Sequence, residues 1–117
     1  MSISYEGIGA WCATMNCGTG VSEGMVVKAG AGDTAAKCSA QDGFIGVVRA
    51  VGHDGKACSV QLGGLAAVRY SGETAPSVGY GKLSADAAGG VSVDAAKGRE
   101  YLILAVDSAA ETAVIKL

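Results

Sequence analysis

The stretch GHDGKACSVQL, residues 52–62, holds the chain's single histidine, His53, next to Asp54 and a short way before Cys58. Thiol, imidazole and carboxylate are the parts of an activated nucleophile, and the same side-chain types ligate zinc. Both chemistries demand convergence: a nucleophile and its base within hydrogen-bond reach, or three or four ligands around one ion. Asp54-Gly55 stands between two apolar runs, a strong hairpin signal because glycine tolerates the positive φ of such turns. His53 and Asp54 therefore belong at a hairpin tip. Cys58 lies down the following strand, more than about 10 Å away at a rise of roughly 3.3 Å per residue.

The other chemical candidates dissolve in the same way. The G-x-G spacings in GIGAWCATMNCG and GTGVSEG neither follow a strand nor open a helix, and no Lys-Ser or Lys-Thr closes a phosphate loop. The acidic residues stand mostly at or beside turns, where solvated loop charges explain them without acid–base work. Cys12, Cys17, Cys38 and Cys58 match no C-x-x-C pair and no zinc ribbon. Cys38 and Cys58 are expected to be small apolar residues on strands. No catalytic, cofactor-binding or metal-ligating residue is assigned, and the protein is expected not to be an enzyme.

What must hold these residues is a β framework. Half of the 117 residues are hydrophobic but only 5% are aromatic, and 19 are glycine. Interior helical glycine costs about 1 kcal/mol relative to alanine, so short strands joined by tight turns suit this composition better than helices. Nine candidate strands follow at 25–28, 35–38, 44–51, 57–62, 65–70, 80–84, 90–93, 101–106 and 112–117. The one proline, Pro76, falls outside all of them. The formal net charge is -2 with no basic stripe, which disfavours nucleic acid as a partner. No segment is long and apolar enough to span a bilayer, and Glu6 stands where a secretory signal would be basic, so synthesis in the cytoplasm without export is expected.

Compared with itself at an offset of 55, the chain aligns Ser22 with Ser77, Gly43 with Gly98, Ala50-Val51 with Ala105-Val106, Val60 with Ile115 and Leu62 with Leu117. The order of turns and strands coincides as well. The fold class is therefore all-β: a single barrel-like domain over 21–117, built of two related meanders joined through GGLAAVRYSG. Residues 1–20 show no sustained period and read as an extended N-terminal arm. It gathers Tyr5, Ile8 and Trp11, the last being the chain's only tryptophan. Aromatic anchors are frequent interface hot spots, so these three are the expected partner-binding residues. The competing expectation for Trp11 is that it folds back to cap the barrel.

The segments VSEGMVVKAG, AQDGFIGVVRAVGHDGKACSVQLGGLAAVRYSG, APSVGYGKLSADAAGGVSV and YLILAVDSAAETAVIKL together resemble the capsid decoration, or cement, proteins of tailed bacteriophages. The matching elements are Gly24 to Val27, Ile45 to Val47, Gly55 to Gly63, Gly79 to Leu83 and Val114 to Leu117. The resemblance implies a β-barrel or β-tulip domain, often assembled as a trimer. It also implies a virion protein on the exterior of the expanded capsid, with the major capsid protein as partner and no cofactor. Two other readings stand beside it: a soluble β-barrel module of cellular origin that binds a ligand or protein, and a small hydrolase using loop carboxylates.

If His53 is a turn residue, His53→Ala and treatment with a chelator should each leave thermal stability within about 0.5 kcal/mol of the untreated protein. A melting shift of many degrees on either treatment would restore the metal reading.

Overall fold

A computed structural model describes residues 9–117, which form ten strands and, among themselves, no helix. The strands β1 (Trp11–Cys17), β2 (Val26–Gly30), β3 (Thr34–Lys37), β4 (Gly46–Val51) and β5 (Ala57–Gly63) close one barrel. A second barrel is closed by β6 (Leu65–Ser71), β7 (Gly79–Ala85), β8 (Val91–Val93), β9 (Arg99–Asp107) and β10 (Thr112–Lys116). The all-β barrel expectation holds, with each half of the repeat a closed barrel.

Period-two alternation builds most of these strands. In β6, Ala66, Val68 and Tyr70 are buried while Ala67 and Arg69 face out, and in β10 Ala113 and Ile115 point inward. β2 and β4 break the rule. Val26, Val27, Val47 and Val48 are 1%, 0%, 2% and 1% exposed although they are adjacent in pairs. Val27 and Val48 join Ala35, Cys58 and Val60 inside the first barrel. Val26 and Val47 point the other way and, with Phe44, pack against Ala66, Leu83, Ile103 and Ile115 of the second barrel. One wall of the first barrel is thus buried on both faces, its outer face completing the core of the second.

Polar contacts fasten this wall. The Val26 N–H donates to Gly89 O (3.0 Å), the Gln41 N–H to Ala85 O (2.8 Å) and the Ala85 N–H to Asp42 O (2.9 Å). Phe44 stacks on Tyr101 with ring centroids 4.9 Å apart, and the Tyr101 hydroxyl donates to the Phe44 carbonyl at 3.3 Å. Gln61 is completely buried; its amide nitrogen donates to Gly63 O (3.0 Å) and Leu65 O (2.8 Å), and its oxygen accepts from Arg49 (3.2 Å). A buried amide satisfied on both ends is affordable in a core, and this one pins the crossing between barrels.

The duplication extends to an irregularity. In the first barrel Val48 pairs with Val60 and Ala50 with Ser59, so that Arg49 is skipped. In the second, Ile103 pairs with Ile115 and Ala105 with Val114, so that Leu104 is skipped. The same β-bulge therefore recurs at the offset of 55 seen in the sequence.

Three features differ from the sequence expectation. Each half is not a simple meander: β3 lies between β1 and β2 and runs parallel to β1, and β8 stands in the same relation to β6. The connections 18–25 and 72–78 are too long for tight hairpin turns, which frees β1 and β6 to pair beyond their sequence neighbours. The segment GGLAAVRYSG is not a joint, because Gly63 ends β5, Leu65–Ser71 is a full strand and only Gly64 connects the barrels. Within the segment assigned to the arm, Trp11–Cys17 forms β1, antiparallel to β5.

Because Ile115 is fully buried in β10, Ile115→Ala should cost about 2–5 kcal/mol of a total near 5–15. Deleting 112–117 should abolish native circular dichroism. A truncated chain that stays monodisperse and keeps the native spectrum would contradict this architecture.

Candidate interaction surface

The fold separates the residues of the GHDGKACSVQL stretch. His53 is exposed in the turn between β4 and β5, where Gly55 adopts φ +70° and Asp54 accepts the Lys56 N–H at 2.9 Å. Cys58 is buried inside the first barrel, so the two never converge. Burial, and then neighbouring Cys17, push its thiol pKa up, the opposite of what a nucleophile needs. Cys38 is buried as well, with its pKa raised by burial first; Cys12 is exposed and Cys17 half-buried.

Asp42, Asp86, Asp94 and Asp107 accept hydrogen bonds that shape their loops. Asp86 Oδ1 accepts the N–H groups of Ala88 (2.8 Å) and Gly90 (3.0 Å), and Asp107 Oδ1 those of Ala109 (3.0 Å) and Ala110 (3.2 Å). Asp94 accepts the Lys97 N–H (2.9 Å) and the Ser84 hydroxyl (2.9 Å), and these bonds hold its carboxyl below the usual carboxylate range. Asp42 is held low by its 2.7 Å bond from Lys28 and by the Ser39 N–H. Expected as solvated charges beside turns, these residues are also the acceptors that shape the turns. Among the described residues, no group of three or more His, Cys, Asp or Glu side chains is placed to hold a metal ion.

What the described residues offer instead is outward-facing apolar surface. Three of the depressions between described residues measure about 170, 260 and 180 Å³. Beside them, Trp11, Val78 and Tyr80 are 60%, 69% and 74% exposed.

Trp11 opens β1 opposite Gly63, at a register irregularity. Its indole lies against the Gly63 backbone so closely that a Cβ there would fall 1.7 Å from the ring nitrogen. One part of the ring is seated and the rest faces solvent, so Trp11 does not cap a barrel core. From Trp11 to Met15, β1 has β5 on one side and, among the described residues, no ladder partner on the other, since its pairing with β3 covers only Asn16 and Cys17. Tyr5 and Ile8, the other two expected partner-binding residues, lie outside the described residues.

Val78 and Tyr80 were not singled out by sequence. They border the depression of about 180 Å³ together with Pro76, Val93 and Ile103. The available signal was the repeat, which sets GYGKLS beside the buried MVVK segment.

Comparison with protein-family models, with curated proteins and with solved structures finds no match.

The carboxyls of Asp42 and Asp94 titrate below the ordinary aspartate value of about 3.9. The folded state then binds fewer protons than the unfolded state through this range. Their contribution to stability is fully present above about pH 4 and is lost as pH falls through the folded values. The melting temperature should be level from about pH 7 to 5 and decline below about 4, with a shallower decline in Asp94→Asn. An identical acid slope in that variant would refute the assignment.

Proposed function

We propose that this is a structural virion protein of the bacteriophage capsid-decoration type, bound to the exterior of the expanded shell and clamping neighbouring major capsid subunits. The observation that carries the reading is the start of β1: a seated but exposed tryptophan on a strand whose outer edge has no partner among the described residues from Trp11 to Met15. An open edge beside an aromatic anchor suits strand addition, in which main-chain hydrogen bonds supply affinity and the anchor supplies specificity.

Support also comes from the elements that carry the family resemblance, which fall on or beside β2, β4, β5, β7 and β10. A protein of this kind works without turnover. It stabilises the assembled shell by mass action, because it binds assembled sites and not free subunits. The reading includes a homo-oligomer, a trimer by the resemblance, made in the host cytoplasm and carried on the virion.

The test is titration of purified protein onto expanded shells. Saturation at a fixed copy number is expected. Trp11→Ala should weaken binding by about 2 kcal/mol or more, and deletion of residues 2–8 should weaken it further, both with little change in the melting temperature of the free protein. No saturable binding, or full binding by Trp11→Ala, would defeat the reading.

A further inference from the structure

The two barrels carry equivalent outward rows of side chains; the first is covered over Val26, Val47 and Gln61 and open at Cys12, whereas the second has no such cover. In the first barrel the ladder sets Val26 opposite Val47, Val47 opposite Gln61, and Gln61 opposite Cys12. Residues directly opposite in a sheet share a face. In the second barrel the corresponding row is Tyr80, Leu102, Lys116 and Leu65, again paired in sequence across β7, β9, β10 and β6. Val47 and Leu102 are 55 apart, as are Gln61 and Lys116, so the rows are equivalent by register as well as by topology.

Val26, Val47 and Gln61 are buried under the second barrel, whereas Tyr80 is 74% exposed, Lys116 is exposed, and Leu102 and Leu65 are half-buried. The cover over the first row is the end of a barrel of this same fold. Its β7–β8 hairpin meets the first barrel through both backbone and side chains: Gly89 O accepts the Val26 N–H, Ala85 O accepts the Gln41 N–H and the Ala85 N–H donates to Asp42 O, while Leu83, Ala85 and Val91 pack in one core with Val26 and Val47. The counterpart of that hairpin in the first barrel is the turn between β2 and β3, where Ala31, Gly32 and Asp33 are all exposed.

From this equivalence we infer that the Tyr80–Leu102–Lys116–Leu65 face docks a second copy of this chain, head to tail, through the β2–β3 hairpin end of that copy's first barrel. Where Gln61 satisfies itself internally, Lys116 presents a cation on the open face, and Asp33 brings a carboxylate on the incoming hairpin. A heterologous contact of this kind closes into a ring or propagates, depending on the rotation between copies. The inference gives the homo-oligomer of the proposed function its contact face, but it does not require that the partner of the arm be a shell.

Sedimentation velocity of the full-length protein over a concentration series tests it. The wild type should sediment as a reversible oligomer. Tyr80→Arg and Ala31→Arg should each be monomeric or at least about 30-fold weaker in association, with unchanged circular dichroism and melting temperature. Each variant retains the surface that the other lacks, so an equimolar mixture should recover a 1:1 dimer and go no further. A wild type that is monomeric throughout, variants that associate like wild type, or a mixture that stays monomeric would each overturn the inference. If the wild type is monomeric and Tyr80→Arg instead loses shell binding, the face belongs to the capsid subunit and the self-association inference is wrong. Self-association without any shell binding would leave this inference standing and remove the capsid reading.

Discussion

Two pairs of adjacent valines, Val26-Val27 and Val47-Val48, have to leave water together, and in a strand adjacent side chains point in opposite directions. One barrel alone buries only one member of each pair. Everything else in the molecule follows from supplying a second apolar environment on the far side of β2 and β4. The second barrel supplies it, and its own core gains Val26, Phe44 and Val47 in return. Five-stranded barrels of this size have little interior, and with Ala, Val and Gly dominating the composition each alone has few large side chains to bury. Sharing a wall makes one cooperative core from two small ones.

The join also explains where polarity is placed. Gln61 sits in the covered row and closes its own hydrogen bonds on the connecting backbone, so it can be buried at little cost. Its counterpart Lys116 sits in an open row, and a lysine can lay its methylenes over Leu102 and Leu65 while its ammonium stays in water. The repeat thus diverged where the two halves meet different surroundings. Tyr101, stacked on Phe44 across the join, is the counterpart of Gly46 at the same offset.

Much of the fold was legible because hydrophobic alternation and turn chemistry agreed. All nine expected strands correspond to β2–β10. β1 was missed although Ala13, Met15 and Cys17 alternate with Thr14 and Asn16: the alternation spans only five residues, none of them fully buried, and the strand's place is set by pairing with β5. The offset of 55 was legible through β4–β5 and β9–β10, where even the bulge repeats. In β2 and β7 the structural register places Tyr80 against Val26, one residue off that offset. The candidate surface was visible only in part. Trp11 stood out as the sole tryptophan, whereas Tyr80 looked like an ordinary strand residue because alternation says which way a side chain points, not whether anything covers it.

The claim that most needs direct measurement is that the two barrels form a single cooperative unit through the shared wall. Native-state amide hydrogen exchange reads this residue by residue. The Val26 and Ala85 amides, whose hydrogen bonds cross the join, should exchange only through the same global opening that releases the ladder amides of both barrels. If the amides of the second barrel exchange at a distinctly lower free energy while those of the first remain protected, the barrels open separately and the shared wall is not what holds the molecule together.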